Sequence, residues 1–183
     1  GKFPDDDVVQ VDHDNVGACK ELVTVLFAKG IQNIAYLGSN MDQMVNRCRY
    51  QGYEEAYRKG KRKLNQDLVY TDLSSRAMVE KAVEELKNSG VECILCQDDY
   101  ICDEVVRKLA RMGVRIPDQM KVASCHYSRI LENYPVTITS LKFNITELGR
   151  RSCQVLLDMI HGKTVPDKTL LDYEIILKES TKG

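Results

Sequence analysis

The sequence predicts a doubly wound α/β fold, a parallel sheet with helices on both faces. Two observations carry that prediction. Short apolar runs recur at residues 33–38, 67–71, 92–96 and Lys121–Ser124, and three of them lead into helix-like segments. Strands alternating with amphipathic helices are the pattern of parallel α/β sheets. Such sheets bind ligands beyond the carboxyl ends of their strands, where the strand order reverses. Arg49, Asp98 and His126 fall in segments that converge on that edge.

Each element has a local reason. Acidic residues Asp5, Asp6 and Asp7 precede VVQVD, read as a strand at 8–11 that ends at Asp12 and is expected in the same parallel sheet as the later strands. From Asn15 to Ala28, the residues Val16, Cys19, Leu22, Val23, Leu26 and Phe27 share one helical face, and Gly30 supplies the stop. After NIAYLG, a helix over 42–59 carries Tyr50, Tyr53, Ala56 and Tyr57 on one stripe and ends at Gly60. Ser74 or Ser75 caps a third helix, which reads on to Ser89 and Gly90, and Asp98 or Asp99 caps a fourth, ending at Met112 and Gly113. Pro117 leads into KVAS. After Pro135 come the strand TITSL, Asn144 as a cap, a helix through Ile160, and a last strand in DYEIIL.

The composition excludes several function classes. The chain has 183 residues, enough for about one domain, with 43% hydrophobic and 29% charged residues. Basic and acidic residues number 26 and 27, for a net charge of -1, so this stretch lacks the basic footprint of a nucleic-acid binder. No apolar run is long enough to span a bilayer, and neither a membrane partner nor a signal peptide is expected. Seven cysteines sit mostly among apolar neighbours. The pair Cys93 and Cys96 forms a C-x-x-C inside one strand run, VECILC, with no second pair or His cluster behind it. These thiols read as buried and structural, and their number points to a reducing, cytoplasmic compartment. No G-x-G-x-x-G, G-x-x-x-x-G-K, H-E-x-x-H or nucleophile–base–acid constellation is present, so neither catalysis, a cofactor nor a metal is expected.

Three positions could carry recognition chemistry. Asp98 and Asp99 follow the strand CILC and open a helix. One can cap while its neighbour accepts hydrogen bonds from ligand hydroxyls. Arg47 and Arg49 lie two apart on one helix and so point in different directions. A guanidinium reaching the crevice offers a rigid fork of donors. His126 follows KVASC at a strand end.

In combination these residues resemble the lactose-repressor family of bacterial transcription regulators. The resemblance is carried by VVQVD, by G-A-x-x-x-x-L with K-G-I-x-x-I-A-Y-L-G, and by R-x-x-G-Y. It continues through C-x-D-D, M-G-V-R-I-P-D-Q-M-K-V-A-S, I-T-S-L-K-F-N-I-T-E-L-G and the closing I-I-L-K-E-S-T, spanning residues 8–181. It implies a two-lobed, periplasmic-binding-protein-like fold of type I with a small-molecule effector in the cleft, and mainly the C-terminal lobe in this chain. Residues 1–13 would then be a strand of the N-terminal lobe with a crossover, and 14–141 the C-terminal effector-binding lobe. Residues 142–171 would be an N-terminal-lobe helix and return, and 172–183 the final strand and tail. A DNA-binding headpiece, absent from this chain, would contact operator DNA.

Position by position, the resemblance implies effector contacts at Arg49, Asp98, His126, Leu73 and Asp12. Three of these depart from the family pattern. Asp98 stands where Asn is usual, His126 where Asp is usual, and Leu73 where an aromatic ring is common. The departures imply an anionic or modified ligand in place of an ordinary neutral sugar. An imidazolium contact at His126 would make affinity fall as pH rises through the ordinary histidine range.

The resemblance also implies a homodimer through segments 72–77, 103–111 and 130–135, with Asp72, Asp103, Val106 and Ile130 at the interface. Val106 and Leu109 beside Val105 are expected to expose more apolar surface than one buried stripe requires. Two rival readings are a sugar transporter's solute-binding protein and an α/β enzyme with a cleft active site.

Overall fold

The computed structural model describes residues 8–182. The acidic stretch Asp5, Asp6 and Asp7 lies outside the described residues. Six strands form the main sheet, in the order β3 (Val69–Tyr70), β2 (Ile34–Leu37), β4 (Cys93–Cys96), β5 (Lys121–Ser124), β6 (Thr139–Phe143) and β8 (Tyr173–Ile176). The first five are mutually parallel, and β8 runs antiparallel to β6. From β2 the chain steps outward to β3, then returns to place β4 on the other side of β2. The strand order therefore reverses at the carboxyl ends of β2 and β4.

The strand pleat divides the core into two layers. Ile34 and Tyr36, with Cys93 and Leu95, face α1 (Asn15–Ala28) and α2 (Met44–Lys59). Ala35 and Leu37, with Ile94 and Cys96, face α3 (Arg76–Leu86) and α4 (Asp99–Arg111). Alternate side chains of a strand point to opposite faces, so four apolar residues in a row serve both helical layers. Among the described residues, four of the five α-helices start where a short polar side chain accepts a free N–H: Asp14 caps α1, Ser75 caps α3, Asp98 caps α4 and Asn144 caps α5 (Ile145–Ile160), while Gln43 before α2 makes no such bond. Packing of α1 on α2 centres on Gly52, whose missing side chain brings the two backbones together.

Three expectations are corrected. The first strand does not join the main sheet. It is β1 (Gln10–His13), and it pairs in parallel only with β7 (Lys168–Leu171), a strand the sequence reading missed. The run at 67–71 is a strand of two residues, because Asn65 caps a short 3-10 turn at Gln66–Leu68 that uses up the rest. Finally, α4 has no spare apolar stripe: Val105, Val106 and Leu109 are all buried, Val106 to 7% exposure. Besides the sheet, α4 packs against α3 and the Arg129–Asn133 turn, which together cover a wider arc than one stripe.

In contrast, α5 leaves Leu156, Leu157, Met159 and Ile160 exposed and buries only Val155 fully. It packs on β1, the strand that pairs with β7, rather than on the main sheet. No helix among the described residues is long and apolar enough to cross a membrane.

Candidate functional site

The reversal of strand order places the turn between β4 and α4, residues 97–99, at the crevice, and three side chains from different elements meet that turn. Arg49 reaches it from α2: its Nη1 donates to the Gln97 carbonyl at 3.0 Å and its Nε to Asn15 Oδ1 at 3.3 Å. Asp98 belongs to the turn and accepts the Ile101 N–H at 2.8 Å, so its carboxylate is the α4 cap. His126 comes from the loop after β5, with its Nδ1 3.2 Å from Asp99 Oδ1. Arg49 and His126 thus each touch the segment to which Asp98 belongs, while the Asp98 carboxylate itself turns to the α4 cap. Arg49 reaches this turn as a buried side chain, 8% exposed, with its guanidinium 5.9 Å from the Phe143 ring centre.

Burial opposes ionisation of Asp99. Hydrogen bonds from Ser128 and His126, with the imidazole's charge, outweigh it and hold the carboxyl below the usual carboxylate range. A carboxylate whose folded pKa is depressed stabilises the fold above its unfolded pKa, about 3.9. That contribution is lost as pH falls through the lower, folded value. Asp99→Asn is therefore expected to be less stable than wild type at neutral pH, with the deficit shrinking as the medium is acidified below about pH 4. Urea unfolding across a pH series measures it. A deficit independent of pH would assign the effect to packing.

The remaining predicted residues divide. Leu73 is buried in the core beside Val79 and Ile101, and it lines a cavity of about 480 Å³ together with Asp98, Asp72, Ser39, Asn40 and Tyr100. Asp72 sits in the left-handed backbone region at φ 60° and accepts the Met41 N–H at 3.2 Å, tying the loop after β3 to the loop after β2. Asp12 is exposed and accepts its neighbour's N–H at 2.7 Å. The pleat of β1 turns His13 inward instead.

Four residues the sequence reading missed complete the group. His13 packs on Phe143 with ring centres 4.9 Å apart, and Asn15 orients Arg49. The buried Gln97 side chain accepts the Ser39 N–H at 3.1 Å and donates to Ser39 Oγ at 3.1 Å, fixing the loop after β2. Phe143 also stacks on His126, with centres 6.4 Å apart. For Gln97, a polar residue directly after a buried strand at the reversal, that position was the available signal.

A further cavity of about 650 Å³ lies between β6, α5 and the β7–β8 return and includes Phe143, Lys142, Glu147, Asp172 and Glu174. Beneath the crevice, Cys19 and Cys125 bring their sulfurs to 3.6 Å, and both thiols are fully buried. Their contact, followed by burial, raises the Cys19 pKa well above normal. Cys93 and Cys96 are buried free thiols, with burial pushing both upward. Among the described residues, no group of three or more His, Cys, Asp or Glu side chains is placed to hold a metal.

The fold has known counterparts. Residues 23–181 match the model of a periplasmic binding protein-like domain. The HTH-type transcriptional regulator CelR of Thermobifida fusca is 27% identical over 180 residues, covering 97% of this chain and 53% of that protein. The HTH-type transcriptional regulator GntR of Escherichia coli is 26% identical over 175 residues, covering 88% and 49%. Among solved structures, a CelR–cellobiose complex superimposes with a TM-score of 0.85 at 25% identity, covering 97% of this chain and 55% of that one. A transcription regulator CcpA of Lactococcus lactis gives 0.85 at 23% identity, covering 98% and 66%. The chain spans about half the length of the relatives it matches. It belongs to the periplasmic binding protein-like domain family.

Proposed function

We propose that the chain is the effector-sensing region of a cytoplasmic transcriptional regulator. It binds a sugar or related metabolite at the crevice and passes that event to a DNA-binding headpiece elsewhere in the protein. The observation that carries the reading is the convergence of Arg49, Asp98 and His126 on residues 97–99, at the strand-order reversal where α/β sheets take their ligands. A CelR structure in complex with cellobiose supports a saccharide-like effector, and relatives that are regulators support a sensor in place of an enzyme. Seven free thiols support a reducing compartment.

The lobe boundaries form part of this reading. Of the described residues, 14–141 with 172–182 make one lobe and 8–13 with 142–171 the other, except that Lys142 and Phe143 stay with the first because β6 pairs through them with β8. Support comes from β1, which pairs with β7 alone, and from α5, whose apolar side chains stand exposed. An effector that binds the closed arrangement of lobes better than the open one shifts their populations. In a homodimer that shift resets the spacing of two headpieces, and hence their fit to a two-fold operator.

Asp72, Asp103 and Ile130 remain interface candidates. Ile130 is 47% exposed, while Asp103 holds Arg107 at 2.8 Å and the Tyr134 hydroxyl. Val106, being buried, drops out as an apolar contact.

Calorimetric titration of the full-length protein against a panel of mono- and disaccharides and their acidic and phosphorylated forms tests the proposal. Saturable binding of at least one compound, with a change in operator affinity, is expected. Turnover of a bound compound, or no binding across the panel, would overturn it.

A further inference from the structure

The end of α2 and the loop behind it hold the densest run of basic residues in the chain. Arg58, Lys59, Lys61, Arg62 and Lys63 fall within six residues, and Lys29 at the end of α1 adds a sixth cation. All but Arg62 are exposed. Arg62 lies across the Phe27 ring at 4.3 Å and donates to Gln32 Oε1, which holds the loop against the end of α1. Among the described residues only Arg58 has an acid in reach, Glu55 at 3.8 Å, and Lys20 holds that acid more closely at 3.1 Å. On α3 and α4, by contrast, Arg76, Lys81, Arg107, Lys108 and Arg111 are each ion-paired. The negative end of a helix accounts for Arg58 and Lys59, but its field fades beyond the last turn and does not account for Lys61, Arg62 and Lys63. Lys61 also takes the left-handed backbone at φ 52°, where glycine would avoid the steric cost that a lysine meets. Six like charges in one patch repel each other, a cost that a bound anion removes.

The patch lies at the amino-terminal edge of the sheet, opposite the crevice: Tyr57, near the end of α2, bonds the Ile34 carbonyl at the start of β2. Its surface is concave and partly apolar. Arg62 borders two cavities, one of about 320 Å³ walled by Phe27, Ala28 and Ala56, the other of about 560 Å³ with Tyr57, Leu64 and the acids Glu54 and Glu55. We propose that this patch docks an acidic segment of a partner protein, one in which carboxylates flank an apolar side chain. The apolar group enters the smaller cavity, and the carboxylates meet Lys59, Lys61 and Lys63 in charge-assisted hydrogen bonds. A nucleic-acid duplex fits less well. The total charge of -1, less these six cations, leaves -7 on the rest of the chain, which repels an extended polyanion, and Glu54 and Glu55 stand in the second cavity. A short segment meets the cations alone. Docking here leaves the crevice open, so the proposal is independent of the effector reading.

The test uses the full-length protein and a labelled synthetic peptide with two leucines among four glutamates, read by fluorescence anisotropy at low ionic strength. The triple variant Lys59→Gln, Lys61→Gln, Lys63→Gln removes three charges from the patch. A second triple variant, Lys81→Gln, Arg115→Gln, Lys163→Gln, removes as many from ion-paired positions elsewhere and controls for net charge. Wild type should bind the peptide saturably, with affinity falling as salt is added. The patch variant should bind about tenfold more weakly without losing thermal stability, and the control variant within about twofold of wild type. Exchanging the peptide's glutamates for glutamine, or its leucines for serine, should each weaken binding about as much. The absence of saturable binding would overturn the proposal. So would an equal loss in both triple variants, or a glutamine or serine peptide that binds as tightly as the original. A DNA duplex without operator sequence, or phosphatidylglycerol vesicles, losing affinity in the patch variant while the peptide does not would transfer the patch to nucleic acid or lipid and overturn it as well.

Discussion

Gly52→Ala is expected to destabilise the protein by about 1–2 kcal/mol, against the sign that helix propensity gives. On propensity alone, alanine inside a helix gains about 1 kcal/mol over glycine. Here the added methyl would lie 2.9 Å from the Cys19 Cβ and 3.0 Å from the Lys20 nitrogen, and closer still to the Val16 carbonyl. Two of those three neighbours are α1 backbone, which cannot turn aside as a side-chain tip can. Relief requires the helices to part, and overpacking of that kind costs about 1–3 kcal/mol. With a backbone carbonyl as the nearest neighbour the overpacking term falls at about 2–3 kcal/mol, which less the propensity gain of about 1 leaves the stated margin. The displacement should also travel. Cys19 touches Cys125, the residue before His126, and Arg49 lies one turn from Gly52 on α2. Effector affinity should therefore drop along with the melting temperature. A Gly52→Ala protein as stable as wild type would show that the helices pack more loosely than the structure indicates.

Arg49→Met should do the opposite: lose effector affinity by about one to two decades while stability stays within about 1 kcal/mol of wild type. Its stability terms oppose each other. Removing Arg49 breaks two hydrogen bonds and a cation–ring contact, but it also deletes a buried charge that no carboxylate balances. The methionine chain refills the apolar space along the stem, which limits the cost of leaving the buried Gln97 carbonyl without its Arg49 donor. Affinity has no such compensation, because the lost contact is charge-assisted. Chemical unfolding and calorimetry on the same preparation separate the two. Loss of more than about 3 kcal/mol of stability with unchanged affinity would make Arg49 a strut between α1, α2 and β4 rather than a ligand contact.

What could be read in the sequence follows how local the physics is. The helix Asn15–Ala28 and the strand Lys121–Ser124 emerge at their predicted limits because a cap, an apolar period and a stop are all written within a few residues. Asp98 as a cap was legible for the same reason. The pairing of β1 with β7 was not: it joins segments more than 150 residues apart, and Lys168–Leu171 is too short and too exposed to announce itself. Val106 was misjudged because a helix wedged between a sheet, a second helix and a turn buries more of its circumference than one stripe. Arg49 was placed in the right crevice but given the wrong burial. Its sequence position fixes the helix face, while its depth is set by Asn15, Phe143 and the Gln97 carbonyl, all remote in the chain. His13 gave no signal at all, since an isolated histidine in a short strand has many ordinary explanations.

The antiparallel seating of β8 against β6 has a consequence for how the protein is made. Until residues 173–176 leave the ribosome, the outer edge of β6 lacks its partner, and the Ser180 and Thr181 hydroxyls that lock onto the Val122 carbonyl and Thr139 are still to come. At ordinary elongation rates, the stretch between β6 and β8 takes about two to six seconds to synthesise. During that interval a nascent chain with five strands already translated presents an open sheet edge. The segment that closes it is short and arrives late, so crowding among polysome-bound chains bears on the yield of folded protein more than the strength of the finished core does.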